Sequence, residues 1–284
     1  MMKLVSVQNL SKNYQSKVVV NNLSFSLVGG QVLGLLGHNG AGKSSLINAL
    51  LGFKSYQGEI SICGLNPINQ HVPLMQCLGY ISDGDVLPKW MTVKQILRYT
   101  DGMQPNFDLA KAEQLLTHTD IQLMSKIGTL SKGMKVQLHL ALTIASETKV
   151  LILDEPTLGL DLIYRETFYR HLIEWMHDGE RTLIIASHEV SEIEHLLTDV
   201  LMLKQGNCIA QGSIEDVLQQ YITLEVTDSF TGSIQTFQPI YLRPGLGTKK
   251  WLIKSEHKQQ ATEYGEISSI TLQDLFIALQ KEDH

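Results

Sequence analysis

Residues 37–44 read Gly37-His38-Asn39-Gly40-Ala41-Gly42-Lys43-Ser44 and match the pattern G-x-x-x-x-G-K-[ST]. They lie between a short apolar run, Val32–Leu36, and a segment of helical character over residues 44–51. Glycines let the backbone turn tightly enough for its amide hydrogens to converge on phosphate oxygens, and a helix N-terminus adds a favourable dipole. The sequence therefore predicts a phosphate-binding loop between a strand and a helix, and we call residues 37–44 the phosphate loop.

Two side chains of the phosphate loop have specific predicted roles. Lys43 is expected to reach the β- and γ-phosphates of a nucleotide, and the Ser44 hydroxyl is expected to ligate Mg²⁺. The residues expected to contact the nucleotide in this region are Gly37, His38, Asn39, Gly40, Ala41, Gly42, Lys43, Ser44 and Ser45. The alternative, a glycine-rich turn without a ligand, does not account for the strand and the helix that flank the motif.

A second motif ends in two carboxylates. Residues 150–155 read Val150-Leu151-Ile152-Leu153-Asp154-Glu155, so an apolar run leads directly into the acids. Such a run predicts a buried strand, and open α/β sheets bind ligands at the carboxyl ends of their strands. Asp154 is expected to hold Mg²⁺ through water, and Glu155 is expected to orient and polarise the attacking water. An acidic pair after a strand is common on protein surfaces, so this motif is informative chiefly together with the phosphate loop.

Further motifs, in chain order, resemble those of ATP-binding-cassette (ABC) ATPases. Leu130-Ser131-Lys132-Gly133-Met134 resembles the signature motif of that family, and Leu158-Gly159-Leu160-Asp161 resembles its D-loop. His188 follows a predicted strand as the family's switch histidine does, and Tyr14 lies where the family has an aromatic residue that stacks on adenine. The resemblance covers roughly residues 3–218, and the ordered set of motifs is specific.

The resemblance implies a site shared between two cassettes. In this family two such domains face one another head to tail, and each ATP lies between the phosphate loop of one domain and the signature motif of the other. Ser131, Gly133 and Asp161 are then expected to contact the nucleotide at that interface, with Mg²⁺ as the metal cofactor. The arrangement is two-fold, so the same contacts occur twice. The residues to which the resemblance gives catalytic roles, by positioning and charge neutralisation, are Lys43, Glu155 and His188.

The chain departs from the common family pattern at two places. The signature motif carries Lys132 and Met134 where the commonest version has glycine and glutamine, but it keeps the serine and the second glycine. Asp83 ends a segment, residues 78–83, that usually ends in glutamine, and Asp85 is a competing candidate for the same role. Asp83 is expected to face Mg²⁺ and the nucleotide with a shorter reach than glutamine. This departure concerns the coupling of the metal to a permease rather than ATP binding.

Alternating apolar runs and helical patterns predict an α/β fold with a mainly parallel sheet covered on both faces. Strands are predicted at residues 3–10, 18–28, 31–36, 58–63, 150–153, 182–186, 222–226 and 250–254. Helices are predicted at residues 44–51, 93–100, 109–118, 138–145, 166–176 and from Thr271 onward. In the last helix, Thr271 and Asp274 have the form of a capping box.

The resemblance completes the expected architecture. It implies a P-loop NTPase of the ABC type with an N-terminal antiparallel β subdomain, a parallel-sheet ATPase core and a helical subdomain inserted over residues 84–130. Residues 1–220 are expected to form the nucleotide-binding domain. Residues 221–284 are expected to form a small α+β accessory domain, in which no motif with a readable function occurs.

Composition limits the classes of function. The net charge of -6 disfavours nucleic acid as a partner, because affinity for phosphate backbones needs a positive surface. The cysteines, Cys63, Cys77 and Cys208, lack paired spacing and are expected to be buried, reduced thiols. We find no secretory signal at the N-terminus and no run of 18 apolar residues, so the chain is not expected to cross a bilayer by itself.

These features together predict the ATP-hydrolysing subunit of an ABC transporter. Its expected partners are a separate integral-membrane permease and a second cassette, identical or different, at the cytoplasmic face of the cell membrane. Residues 86–93, Val86-Leu87-Pro88-Lys89-Trp90-Met91-Thr92-Val93, and the Ser-Lys-Gly-Met signature resemble bacterial exporter ATPases, which favours export.

The alternative function is that of a soluble ABC-type factor in translation or DNA repair. Translation factors of the family usually carry two cassettes in one chain, and repair proteins insert a long coiled coil; neither feature occurs in this sequence. A GTPase or kinase with a similar phosphate loop is disfavoured by the signature motif and by His188.

Asp83→Ala tests the unusual acid at the usual glutamine position. We expect the substitution to reduce stimulation of ATP hydrolysis by the partner permease more than it reduces basal hydrolysis. The measurement is phosphate release by the purified chain alone and by the chain reconstituted with its permease. Equal loss of both rates would contradict a coupling role for Asp83.

Overall fold

The computed structural model describes residues 2–15, 17–82, 84, 86–227 and 234–281. In chain order the strands are β1 (Lys3–Tyr14), β2 (Lys17–Val28), β3 (Val32–Leu36), β4 (Gln57–Ile62), β5 (Leu78–Ser82), β6 (Val150–Asp154), β7 (Thr182–Ser187), β8 (Asp199–Lys204), β9 (Asn207–Ser213), β10 (Tyr221–Thr227), β11 (Tyr241–Pro244), β12 (Thr248–Lys254) and β13 (Glu266–Ser268). The helices are α1 (Lys43–Leu50), α2 (His71–Cys77), α3 (Val93–Met103), α4 (Leu109–Thr117), α5 (Lys132–Ala145), α6 (Leu162–Met176), α7 (Val190–Ile193), α8 (Ile214–Gln219), α9 (Lys258–Ala261) and α10 (Leu272–Gln280).

The central sheet has the strand order β5-β6-β7-β3-β8-β9. Its first five strands run parallel, and β9 pairs antiparallel with β8 at one edge. Every residue of β3 and β7 is buried, as is typical of strands covered on both faces. The predicted parallel sheet is confirmed, and the fold is mixed α/β.

A three-stranded antiparallel sheet, in the order β2-β1-β4, covers one face of the central sheet. The predicted strands at residues 3–10 and 18–28 are confirmed, but the β1–β2 hairpin is longer, since β1 continues to Tyr14. The core between the two sheets also takes in α1. Fully buried members of this core are Val5, Leu10, Leu35, Leu46, Ile47 and Ile62.

Helices α5, α6 and α10 cover the opposite face of the central sheet. The helix predicted over residues 166–176 begins earlier, at Leu162, because the Asp161 side chain accepts hydrogen bonds from the first amides of α6. Phe168, Leu172 and Trp175 are buried and form the apolar face of α6.

The inserted helical segment, α3 and α4, packs on α5 between β5 and β6 in the chain. The predicted helices at residues 93–100 and 109–118 correspond to α3 and α4. A complete capping box formed by Thr92 and Gln95 starts α3, a signal that the sequence reasoning did not use. Likewise α5 begins at Lys132, earlier than predicted, because the Ser131 hydroxyl caps it.

A third sheet, near the C-terminus, has the order β11-β12-β10-β13 and its own apolar cluster. The predicted strands at residues 222–226 and 250–254 are confirmed as β10 and β12. Helix α10 is also confirmed, and the Thr271 hydroxyl accepts from the Asp274 amide at 3.1 Å. The capping box is incomplete, however, because the Asp274 carboxylate accepts from Arg243 at 2.6 Å instead.

The predicted burial of the cysteines is wrong. Cys63 and Cys77 are half-buried, and Cys208 is exposed because β9 lies at the edge of the central sheet. All three thiols are free. Within the described parts of the chain, no helix combines the length and the apolar character needed to span a membrane.

Candidate nucleotide-binding site

The central sheet brings three predicted motifs to one edge. The phosphate loop follows β3, Asp154 and Glu155 end or follow β6, and His188 follows β7. β7 is hydrogen-bonded to β3 on one side and to β6 on the other. Because these strands are parallel, their carboxyl ends lie side by side, and the three motifs surround one space.

The backbone of the phosphate loop takes conformations that require glycine. Gly42 has a φ of +114°, and an added Cβ would lie 2.4 Å from the carbonyl oxygen of Val19 on β2. Gly40 has a φ of +83°. On the other side, the Gly206 amide donates to the Ala41 carbonyl at 2.9 Å. The hairpin β1–β2 and the β8–β9 turn therefore both support the loop.

Lys43 is buried within the loop that it belongs to. Its side chain is 6% exposed, and its Nζ donates to the Gly37 carbonyl at 2.5 Å. The same nitrogen lies 3.4 Å from Glu155 Oε1. Burying an ammonium group is costly unless its donors are satisfied, and here a carbonyl and a carboxylate satisfy two of them. A positive charge is thus held at the centre of the predicted phosphate site.

Glu155 turns sharply out of its strand. Its φ is +49°, in the left-handed region that non-glycine residues rarely adopt, and its amide donates to the Ala186 carbonyl at 3.0 Å. Such a conformation costs on the order of 1–3 kcal/mol and persists where the surrounding structure enforces it, often at functional sites. The turn directs the carboxylate toward Lys43 and His188.

His188 lies beside the same carboxylate. Its Nδ1 is 2.9 Å from Glu155 Oε1, and its side chain is 31% exposed. The approach is not aligned as a hydrogen bond, so Nδ1 is buried without a hydrogen-bond partner among the described residues. An orphaned ring nitrogen next to Lys43 and Glu155 fits a site that receives a phosphate oxygen.

The predicted metal ligands lie in this region as well. Ser44 is exposed in the first turn of α1, and Asp154, half-buried, ends β6 opposite Ser82 of β5. Burial, and then the negative charge of Asp154, raise the pKa of Tyr80. A hydroxyl and a carboxylate are oxygen ligands of the kind that Mg²⁺ prefers. The third predicted ligand, Asp83, and its competitor Asp85 lie outside the described residues.

The signature motif and the D-loop are neighbours on the protein surface. The Ser131 hydroxyl accepts from the Met134 amide at 3.2 Å, which starts α5 at an exposed tip. A Cβ added to Gly133 would lie 2.9 Å from the Tyr164 ring of α6, so only glycine lets the two helices approach this closely. Asp161 caps α6 through its Oδ1 and therefore also has a structural role.

Tyr14, the predicted adenine-stacking residue, lies near the tip of the β1–β2 hairpin. It is 42% exposed and pairs with Lys17, two positions before the Val19 that contacts the phosphate loop. The Lys12 ammonium lies 4.9 Å from the centre of its ring. The hairpin thus holds an accessible aromatic ring on the strand pair that borders the loop.

Comparisons with known proteins agree with this geometry. A family model described as ABC transporter matches residues 20–158. Nod factor export ATP-binding protein I of Burkholderia orbicola is 34% identical over 233 residues, which are 80% of this chain and 76% of that protein. The chain belongs to the ABC transporter family. An uncharacterized ABC transporter ATP-binding protein of Bacillus subtilis, YhcH, is 30% identical over 221 residues, covering 76% of this chain and 72% of that protein.

Solved structures of ABC ATPases share the fold of the chain. The structure of the ATP-binding subunit of an ABC transporter has a TM-score of 0.70 at 27% identity, over 76% of this chain and 92% of that one. CbiO1 from Clostridium perfringens, part of the ABC transporter complex cbiONQ, has a TM-score of 0.65 at 26% identity, over 76% of this chain and 91% of that one. The protein is the nucleotide-binding ATPase subunit of an ABC transporter, and a transporter subunit of this kind acts with a membrane partner.

The sequence analysis missed a polar network behind the acids of this ABC ATPase. Thr157 donates to Glu192 of α7 at 3.2 Å and lies 3.2 Å from the Tyr169 hydroxyl of α6. Arg165 forms an ion pair with the same Glu192, and burial raises the pKa of that carboxyl. The network ties the loop after Glu155 to the helix after His188. No spacing signal could have revealed it, because its members come from three separate elements.

Lys43→Met tests whether the buried ammonium binds the nucleotide. The substitution keeps an unbranched side chain, one atom shorter, and removes the charge. We therefore expect ATP affinity to fall by about tenfold to a hundredfold, the loss typical of a hydrogen bond to a charged group. The measurement is a titration with a fluorescent ATP analogue. Lys54→Met, at an exposed position in the turn after α1, is the matched control and should bind as the wild type does. Unchanged affinity of Lys43→Met would refute the role of Lys43.

Proposed function

We propose that this ABC ATPase hydrolyses ATP, with Mg²⁺, at an interface between two cassettes and thereby powers export through a separate permease. The observation that carries the proposal is the Glu155 carboxylate, which lies 3.4 Å from Lys43 Nζ and 2.9 Å from His188 Nδ1. These groups meet where a phosphate loop and a helix N-terminus converge. Phosphoryl transfer to water depends mainly on such positioning and charge neutralisation.

Each group in the site has a separate task. The amides of the phosphate loop and Lys43 bind the β- and γ-phosphates. Glu155 orients a water molecule and accepts its proton, while His188 donates to a phosphate oxygen. Mg²⁺, which Ser44 and Asp154 would hold, supplies neutralisation of the phosphate charge.

The second cassette would complete the site from outside. Ser131 at the tip of α5 is exposed, Gly133 lies buried just behind it against Tyr164, and the apolar side chains that follow the D-loop are exposed. Leu162 and Ile163 are 79% and 77% exposed at the start of α6. Apolar side chains this exposed, next to the signature motif, suit an interface between copies that closes when ATP is bound.

Glu155→Gln tests the catalytic assignment. The amide keeps the size of the side chain but cannot accept the proton of water, so we expect ATP turnover to fall by about a hundredfold or more, the usual contribution of a general base. ATP binding should persist, and the ATP-loaded variant should accumulate as a closed dimer on gel filtration. Glu166→Gln, exposed on α6, is the control and should turn over normally. Undiminished phosphate release by Glu155→Gln would contradict the assignment.

The permease would dock on the inserted helical segment. Trp90 and Met124 are each 72% exposed. An isolated antiparallel β-bridge between Thr92 and Lys126 joins the segments that carry them. A groove of about 280 Å³ is lined by Ser82, Gly84, Val86, Leu87, Lys132, Lys135, Val136 and His139. The groove therefore runs from the end of β5 to the signature helix. A partner seated there would contact both the nucleotide site and the cassette interface.

Export is the direction that the relatives support, since several of them are named Nod factor export ATP-binding proteins. The protein would then work at the cytoplasmic face of the cell membrane, held there by the permease. Residues 1–220 would form the nucleotide-binding domain, and residues 221–284 would form an accessory domain built around β10–β13.

Trp90→Glu tests the docking surface. A charge in an apolar contact is costly, so we expect the variant to lose co-purification of a multi-span membrane protein from detergent extracts of the native host. Ile173→Glu, on α6 and 56% exposed in the wild type, is the control and should retain the partner. Recovery of ribosomal or DNA-bound material in place of a membrane protein would instead support the soluble-factor alternative.

A further inference from the structure

Helix α10 leaves the C-terminal sheet and packs on the ATPase core. Leu272, Leu275 and Phe276 are buried in the same apolar cluster as β3, β7 and α6. The C-terminal residues of the chain therefore contribute directly to the layer of helices that covers the central sheet. This arrangement carries the end of the accessory domain to the edge where nucleotide is bound.

The first contact of α10 with the site is aromatic. The ring of Phe276, which is 4% exposed, lies with its centre 5.7 Å from that of His38, at an interplanar angle of 45°. His38 is the second residue of the phosphate loop. Tilted ring pairs at this separation are attractive. Phe276 thus favours the position that this part of the loop takes in the structure.

The second contact of α10 supports Gly37, the first residue of the phosphate loop, through β8. Gln280, which is 7% exposed, donates from Nε2 to the Leu203 carbonyl at 2.9 Å. That carbonyl oxygen is 2.8 Å from the position of a Cβ added to Gly37. Lys204 in turn donates to the Leu279 carbonyl at 3.2 Å, at the C-terminal end of α10. The end of β8 is therefore held between α10 and the loop.

The third contact reaches the segment behind His188. The Leu272 amide donates to Glu194 at 3.3 Å, and α10 packs on Val190 and Ile193 of α7. α7 begins two residues after His188. Helix α10 therefore touches both the phosphate loop, which carries Lys43, and the segment that carries His188.

We propose that α10 is a positioning element of the ATPase site, in which Phe276 sets the phosphate loop through His38 and so links the accessory domain to nucleotide affinity. The proposal rests on the nucleotide site described above. A phosphate loop binds tightly only when its amides already converge, because ordering them during binding costs free energy. Loss of the Phe276 ring would let the loop relax without touching Lys43, Glu155 or His188.

Steady-state kinetics of Phe276→Leu test the proposal. We expect KM for ATP to rise by about tenfold, with kcat changed less than twofold. This effect is smaller than the roughly hundredfold loss of rate that a 1 Å misplacement of reacting groups causes. Phe237→Leu makes the same change at a side chain 2% exposed in the cluster of the C-terminal sheet, where the ring contacts His257 and Tyr264. KM of this control should stay within twofold of the wild type. Equal KM increases in the two variants would reduce Phe276 to a general stabiliser and overturn the proposal.

A double-mutant cycle with His38→Ala tests whether Phe276 affects KM through its contact with His38. If Phe276 acts through His38, the double variant should have nearly the same KM as the worse single variant, because each change removes the same contact. Multiplied effects of the two changes would overturn that route. Gln280→Met, which keeps the volume but loses the bond to Leu203, should raise KM in the same direction, and an unchanged KM would count against α10 even if Phe276→Leu fails to fold.

These outcomes are distinct from failure of the catalytic assignment. If Glu155→Gln retains turnover while Phe276→Leu raises KM, Glu155 is not the base and the positioning role of α10 stands. If Glu155→Gln abolishes turnover while Phe276→Leu has the KM of the wild type, the catalytic site stands and α10 is a structural extension.

Discussion

The burial of one ammonium group, that of Lys43, is the constraint on which the rest of the site depends. Its two acceptors come from different parts of the sheet, since the Gly37 carbonyl follows β3 and the Glu155 carboxylate follows β6. These two strands are separated by β7, which hydrogen-bonds to both. A buried cation that loses its acceptors is strongly destabilising. The order of three parallel strands is therefore what makes a positive charge tolerable at the centre of the site.

The same frame enforces two unusual backbone conformations. Gly42 can turn with a φ of +114° because it lacks a Cβ, and the neighbouring backbone of Val19 leaves no room for one. Glu155 adopts a φ of +49° although it has a side chain. The hydrogen bond from its backbone amide to the Ala186 carbonyl of β7 holds the turn. The first conformation follows from residue type, and the second is imposed by the fold. Both direct polar groups into the space at the strand ends.

The phosphate loop is supported from three directions by elements far apart in the chain. The β1–β2 hairpin contacts Gly42, the β8–β9 turn bonds to Ala41, and α10 packs on His38. The signature motif and the D-loop, by contrast, lie together at a surface where Leu162 and Ile163 are 79% and 77% exposed. The phosphate loop is thus supported from within the chain, whereas this part of the surface is exposed.

Local sequence was sufficient to predict the buried strands β3, β6 and β7, most of the helices and the motifs at the strand ends, whose roles in nucleotide binding and hydrolysis stay predictions. Their signals are local, because continuous apolar runs, capping residues and glycine spacing act over a few neighbours. Strands β5, β8, β9, β11 and β13 were missed, and the last three are partly exposed and lack a continuous apolar run. The Thr157–Glu192 network and the Phe276–His38 contact, whose partners are 35 and 238 positions apart, emerged only from the folded chain. Such contacts arise when helices pack on a sheet, and packing depends on the shape of the whole core rather than on any stretch of sequence.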